Sequence, residues 1–292
     1  MRSRRRIGVL HPGQMGAAIA AQAVRNGVDV AWCPTGRGPA SRARAISAGL
    51  TPVAGLADLL DSSSVVLSIC PPAAAENVAS SVAEHGFAGI YVEANAISVR
   101  RCQMIMEQVA SSGARAVDGA IIGPPPRDDL STTLYVAGAD GDMAEVTDIF
   151  RESSVRVVPT GGDQGSASAL KMAYAGYQKA TRTLAALAHA LAAGHGVTAH
   201  LLVEAARGSR SPLAEPEYLP SVAARAWRWG PELYEVADTL AALGLPSELA
   251  RATATTLGRW EDRRDVWDLP LETVLGDLAD GHRDRRRSGT AG

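Results

Sequence analysis

Cysteine is scarce in this sequence: Cys33, Cys70 and Cys102 are the three in 292 residues. They are far apart and odd in number, which argues against a disulfide framework or a zinc site and for a reducing compartment, the cytoplasm. Long apolar runs are also missing. None approaches the roughly 20 residues needed to cross a bilayer, and no apolar h-region follows the basic start, so neither a membrane partner nor an export signal is expected. Neither sign of charge dominates, the formal net charge being −2. Arginines gather at the ends (Arg2, Arg4, Arg5 and Arg6; Arg283, Arg285, Arg286 and Arg287) without interleaved aromatic residues. They read as solvated termini, and no nucleic-acid partner is expected. His189, His195 and His200 have no carboxylate or cysteine at ligand spacing, so no metal is expected either. No internal repeat is visible.

What is present is a chain 46% hydrophobic, long enough for two domains. Short β-rich runs recur at 7–10, 28–32, 65–69, 90–93, 116–122, 133–137 and 155–158. Ala-rich helical patterns lie between most of them, at 73–84, 99–111 and 143–152. Alternating βαβ units of this size predict a largely parallel sheet covered on both faces. The break at Gly161-Gly162-Asp163-Gln164 ends the alternation, and the remainder reads as helix. Its opening helix, Ser166 to Ala193, contains no proline and puts Leu184, Leu187 and Leu191 on one face. Such length predicts packing against a second copy of the chain, a homodimer. Later helices are expected at 201–207, 213–227, 231–243 and 247–260. The expected organisation is an α/β domain over 1–162, an all-α domain over 163–280 and a disordered polar tail over 281–292.

The stretch "RRIGVLHPGQMGAAIAAQAVRNG" carries the first chemical signal. It reads as strand, turn and helix, with Gly13 and Gly16 in the second and third positions of G-x-G-x-x-G and His11 at the first. Gly13 lets the backbone approach a pyrophosphate, Gly16 lets the helix pack closely, and the helix start offers N–H groups to the phosphates. Pro12, with its fixed φ, stiffens the turn that the first glycine normally makes. His11, Pro12, Gly13, Gln14, Met15 and Gly16 are therefore the candidate pyrophosphate loop. The acid that binds the ribose hydroxyls in NAD-specific loops is missing: "WCPTGRGPASRARA" contains none. Thr35, Arg37, Ser41, Arg42 and Arg44 offer donors instead, which favours NADP over NAD, with Thr35 and Arg37 the main readers of the adenosine ribose.

Four stretches in order, "IGVLHPGQMG", "VVLSICPP", "VDGAIIGPPP" and "GSASALKMAYAGYQKA", resemble the β-hydroxyacid dehydrogenase superfamily, which includes the 3-hydroxyisobutyrate and 6-phosphogluconate dehydrogenases. Beyond residue 195 the chain looks like a poorly characterised subgroup of these proteins. The resemblance implies a Rossmann domain, an all-helical second domain and a dimer around the long helix. It also implies that Lys171 exchanges a proton with the substrate oxygen as hydride moves to or from the nicotinamide. Cys70 and Pro71 would then lie beside the cofactor, and Asn95 between nicotinamide and substrate. Tyr174 and Gln178 share the face of Lys171 at i+3 and i+7 and are candidate substrate contacts.

The departures are as informative. Where the family has Ser-Gly-Gly in its substrate loop, this sequence has Ile122, Gly123 and Pro124. The asparagine four residues after the lysine is Ala175, and the later Lys-Asp pair falls on Pro231 and Glu232. The implied substrate is a small molecule larger or less anionic than a small hydroxy acid. The alternatives are an imine reductase of related architecture and a non-catalytic NADP(H)-binding sensor.

Overall fold

The computed structural model describes residues 6–207, 212 and 215–280. The expected tail, 281–292, and the first residues of the helix expected at 213–227 lie outside these. Two compact units divide between Met172 and Ala173.

The first unit is built on strands β1 (Arg6–Val9), β2 (Asp29–Trp32), β3 (Thr51–Pro52), β4 (Val65–Ser68), β5 (Ile90–Glu93), β6 (Arg115–Ile122), β7 (Thr132–Ala137) and β8 (Val155–Pro159). They form one sheet in the order β3-β2-β1-β4-β5-β6-β7-β8. Every neighbouring pair is parallel except β6 and β7, which run antiparallel. The first six strands have the order 3-2-1-4-5-6 of a doubly wound dinucleotide-binding sheet, with its switch point between β1 and β4.

Helices α1 (Gln14–Arg25), α2 (Pro39–Ser47), α3 (Leu56–Ser62), α4 (Ala75–His85), α5 (Val99–Ser111) and α6 (Asp140–Ile149) connect the strands. Successive strand residues point to opposite faces, and both faces are covered, so the strands are apolar throughout. Val65 and Leu67 join Ile19 of α1 and Ile149 of α6 in one core, while Val66 joins Leu59, Val82 and Ile105 of α3, α4 and α5 in the other. Each such fully buried aliphatic side chain contributes about 1.5–3 kcal/mol. α6 begins earlier than the expected 143–152, because Asp140 and Asp142 fill its first turn and suit the positive end of the helix dipole.

The long helix α7 (Ser166–Gly194) begins in the first unit and ends in the second. The second unit adds α8 (Thr198–Arg207), α9 (Leu219–Ala242), α10 (Glu248–Leu257) and α11 (Leu271–Asp280). Their core includes Ala186, Val222, Trp229, Leu233, Leu257 and Trp260. The indole N–H of Trp260 donates to the Val274 carbonyl at 2.9 Å.

One expectation fails here. The two helices expected at 213–227 and 231–243 are a single helix, α9, with Pro231 inside it. An interior proline costs about 3 kcal/mol, through a lost hydrogen bond and a clash with the preceding residue. The preceding residue is Gly230, which has no Cβ to clash, and Trp229 and Leu233 bury the helix on both sides of the proline. Packing outweighs the local break.

Candidate active site

In a parallel sheet, the carboxyl ends of the strands share one edge. The segments after β1, β4, β5 and β6 therefore emerge together, and they carry most of the candidate residues.

After β1 the chain turns through Leu10, His11 and Pro12 into α1. Gly13 is the N-cap residue, and no side chain caps this helix. Its first N–H groups thus face the open edge, as a pyrophosphate requires. A Cβ on Gly16 would lie 2.4 Å from the His11 carbonyl oxygen, so that position admits no side chain without moving backbone. Pro12 is buried, Gln14 exposed, and Met15 packs on the core. Two arginines satisfy the carbonyls of this loop. Arg37 donates to Leu10 O at 2.7 Å and Arg44 to Pro12 O at 3.2 Å. Arg37 also lies 2.8 Å from His11 Nδ1. Burial, then Arg37 and Arg44, lower the pKa of His11 below its ordinary value.

The other donors around β2 are engaged by nearby backbone and side-chain groups. The Thr35 hydroxyl donates to Ala54 O at 3.4 Å, and Arg42 donates to the Arg37 and Pro34 carbonyls at 3.0 and 2.9 Å. The Ser41 hydroxyl accepts from Arg44. An uncapped helix start, a glycine that admits no Cβ and arginines without a neighbouring acid fit a dinucleotide.

After β4 and β5, Asn95 ties the two strand ends together. Its Oδ1 accepts from the Cys70 N–H, its Nδ2 donates to the Ser68 hydroxyl at 3.0 Å, and its own N–H donates to Glu93 at 3.1 Å. Only 5% exposed, the Asn95 side chain spends its carbonyl on the backbone and so shapes the Cys70–Pro71 turn. Glu93 also accepts from Tyr91 at 3.0 Å. Burial pushes the Glu93 carboxyl up to about 7, the nearby Asp118 adding to the shift. Burial, then Glu93, raise the Cys70 thiol to about 12, so it is a neutral group beside the turn and no nucleophile.

After β6 the chain passes through Ile122, Gly123 and Pro124. Gly123 has φ +135, and a Cβ there would meet Thr132 Oγ1 at 2.4 Å, so glycine is required. Lys171 is half-buried, and its Nζ donates to the Ile121 carbonyl at 2.9 Å, which holds the ammonium at the carboxyl end of β6. Tyr174 and Gln178 belong to the second unit's part of α7, where Tyr174 is exposed.

Sequence reasoning passed over Asp118, which fixes the start of the lysine-bearing helix. Fully buried in β6, its Oδ2 accepts from the N–H groups of Gly165, Ala167 and Ser168 at 2.9, 2.9 and 3.1 Å. Its Oδ1 accepts from the Ser168 hydroxyl at 2.7 Å. Glu93, its partner in the β5–β6 register, was passed over too. In each case the available signal was a single acid within a run of strand-forming residues, where only a specific partner repays burial.

Six parallel strands in this order, with a glycine turn at the switch point, are the dinucleotide-binding sheet of an NAD(P)-dependent oxidoreductase of the β-hydroxyacid dehydrogenase type. The chain belongs to the family of the NAD binding domain of 6-phosphogluconate dehydrogenase, whose model matches residues 6–162. A second model, described as a domain of unknown function, matches residues 192–260. A comparison with curated proteins gave no match.

Among solved structures the chain is similar to a conserved protein of unknown function described as structurally similar to 3-hydroxyacid dehydrogenases. Identity is 25% over 94% of this chain and 99% of that one, with a TM-score of 0.67. It shares its fold with the 3-hydroxyisobutyrate dehydrogenase of Mycobacterium tuberculosis, at 17% identity over 94% and 99% of the chains and a TM-score of 0.73. It shares it also with an imine reductase from Bacillus cereus, at 16% identity over 96% and 100% and a TM-score of 0.59. Among the described residues no helix is long and apolar enough to cross a membrane, and no group of three or more His, Cys, Asp and Glu could hold a metal ion.

Proposed function

We propose that the chain is an NADP-dependent oxidoreductase that interconverts a carbonyl and an alcohol on a small molecule, with Lys171 as the general acid and base. The observation that carries this reading is the position of Lys171. Its amine is anchored 2.9 Å from a carbonyl at the end of β6, directly before the Ile122–Pro124 loop. The nicotinamide, when bound, supplies or accepts the hydride. As negative charge develops on the substrate oxygen, the Lys171 ammonium donates a proton to it, and in the reverse direction the neutral amine accepts one. The hydrogen bond to Ile121 limits the rotation of the long side chain and reduces the entropy lost on orienting the amine.

Gly13, Gly16 and the start of α1 hold the pyrophosphate, and Thr35 and Arg37 read the adenosine ribose. The absence of any acid in residues 32–45 supports NADP over NAD. Without a serine, the Ile122–Pro124 loop suits a substrate less anionic than a small hydroxy acid. We place the protein in the cytoplasm as a homodimer through its helical unit. Exposed Tyr177 and Leu184 on α7 and Leu243 after α9 support that assembly.

The test is titration with NADPH and NADH, followed by turnover on carbonyl and imine panels, for wild type and Lys171→Ala. The expected result is preferential NADPH binding in both proteins and a loss of turnover of about 10²–10⁴-fold in the variant. Full turnover by Lys171→Ala would overturn the assignment. Tight binding without turnover of any panel member would instead favour the non-catalytic sensor.

A further inference from the structure

His11 occupies the first glycine position of the cofactor loop, and its ring does something a glycine cannot. A guanidinium only donates hydrogen bonds. The 2.8 Å contact from Arg37 therefore makes His11 Nδ1 an acceptor and puts the proton of the neutral ring on Nε2. The second terminal nitrogen of Arg37 donates to the carbonyl of Leu10, the residue before His11. The guanidinium thus clasps two successive residues of the loop. Its Nε is buried with no hydrogen-bond partner. The backbone of Arg37 is held as well: its N–H donates to Pro34 O at 3.1 Å, and its carbonyl accepts from Arg42. Arg37 is therefore fixed at both ends at the end of β2, which is where the adenosine ribose lies in a sheet of this order.

We propose that His11 is a positioning residue for cofactor selectivity: by accepting from Arg37 it holds the guanidinium over the loop, ready to pair with the 2′-phosphate of NADP. This inference rests on the dinucleotide reading above. With glycine at position 11, Arg37 would keep its charge but lose its preorganisation, and orienting it would fall to the ligand. The charged groups facing the imidazole are Arg37, from the β2–α2 connection, and Arg44, from α2. Protonated His11 can no longer accept from Arg37 and repels both arginines, so the arrangement belongs to the neutral ring.

The experiment compares Kd for NADPH and for NADH, by quenching of protein fluorescence, in wild type, His11→Gly, His11→Asn, Arg37→Ala and the His11→Gly/Arg37→Ala double variant. His11→Gly should reduce the preference for NADPH over NADH, read as the ratio of the two Kd values, by about tenfold. Arg37→Ala should reduce it further, and the double variant should match Arg37→Ala, because His11 acts through Arg37. His11→Asn should keep most of the preference, its Oδ1 standing in for Nδ1. As pH falls below about 6, the 2′-phosphate loses charge in every variant. Wild type also protonates His11 as pH falls and so loses the bond to Arg37, and it should therefore lose preference more steeply than His11→Asn, whose amide does not titrate. Equal weakening of NADPH and NADH in His11→Gly would overturn the proposal, as would additive losses in the double variant. Tighter binding of both nucleotides by Arg37→Ala would show instead that the arginine blocks the loop. Wild type binding neither nucleotide would refute the underlying dinucleotide reading, and with it the role of His11.

Discussion

Glu93 makes the sheet's stability depend on pH in an unusual direction. The carboxyl is 1% exposed and receives hydrogen bonds from Tyr91 and the Asn95 N–H, with no cation among its hydrogen-bond partners. Burial, reinforced by Asp118 on β6, raises its pKa from 4.5 to about 7. Below 4.5 the group is protonated in both the folded and the unfolded chain and adds no pH dependence. As pH rises from 4.5 to about 7, the unfolded chain gives up the proton and the folded chain keeps it, so folding stability falls. At about 1.4 kcal/mol per pH unit, the interval amounts to about 3 kcal/mol, an upper bound reached above pH 7.

Glu93→Gln removes the titration and keeps the shape. Its Oε1 still accepts from the Asn95 N–H, and the Tyr91 hydroxyl turns to accept from the amide. The assay is urea unfolding of both proteins between about pH 5 and pH 8, followed by far-UV circular dichroism. The variant should gain on wild type as pH rises, by up to about 3 kcal/mol at the alkaline end. A difference independent of pH would refute the argument, because it would mean that Glu93 does not change charge in this range.

The other predictions concern separate parts of the molecule. Asp118→Asn faces an amide N–H toward the donors at the start of α7 and should cost about 3 kcal/mol in urea unfolding; an unchanged midpoint would show that the cap contributes little. Gly16→Ala drives a Cβ toward the His11 carbonyl, 2.4 Å away. NADPH binding should weaken at least about tenfold in a fluorescence titration, and wild-type affinity would mean that the loop yields easily. In the second unit Lys179, 3% exposed, pairs with Glu232 at 2.8 Å and lies 5.4 Å from the Trp229 ring. Lys179→Met leaves a largely buried carboxylate without this partner and should cost about 3–5 kcal/mol, whereas Lys179→Met with Glu232→Leu should restore most of it. Equal losses in the two variants would assign the effect to packing.

How much was legible in the sequence follows from the range over which each feature is determined. Strand and helix alternation, and the glycine loop, depend on side-chain periodicity and backbone sterics within a few residues. They could be read directly, as could the both-faces-buried character of Val65–Ser68. Lys171 and the missing substrate serine were visible through motif resemblance. The direction of β7 was missed, although the segment 123–131 that joins it to β6 is too short for the crossover a parallel neighbour needs. Nor was α9 legible: a proline announces a break locally, and only the burial of Trp229 and Leu233 on either side of it reverses that.

The same division runs through the site. The sequence by itself determined which residue types stand at the strand ends: glycines where backbone must come close, arginines without a neighbouring acid, and a lysine on a helix. Tertiary structure alone decided what they hold. It turned Arg37 onto His11 and Leu10, tied Asn95 to Cys70 and Ser68, and gave Asp118 the N–H groups of Ala167 and Ser168 at the start of a helix, 49 and 50 residues away. The reason is physical. A buried polar group must find its partners wherever the fold brings them, and hydrogen-bond partners far apart in the chain leave no periodic trace in it.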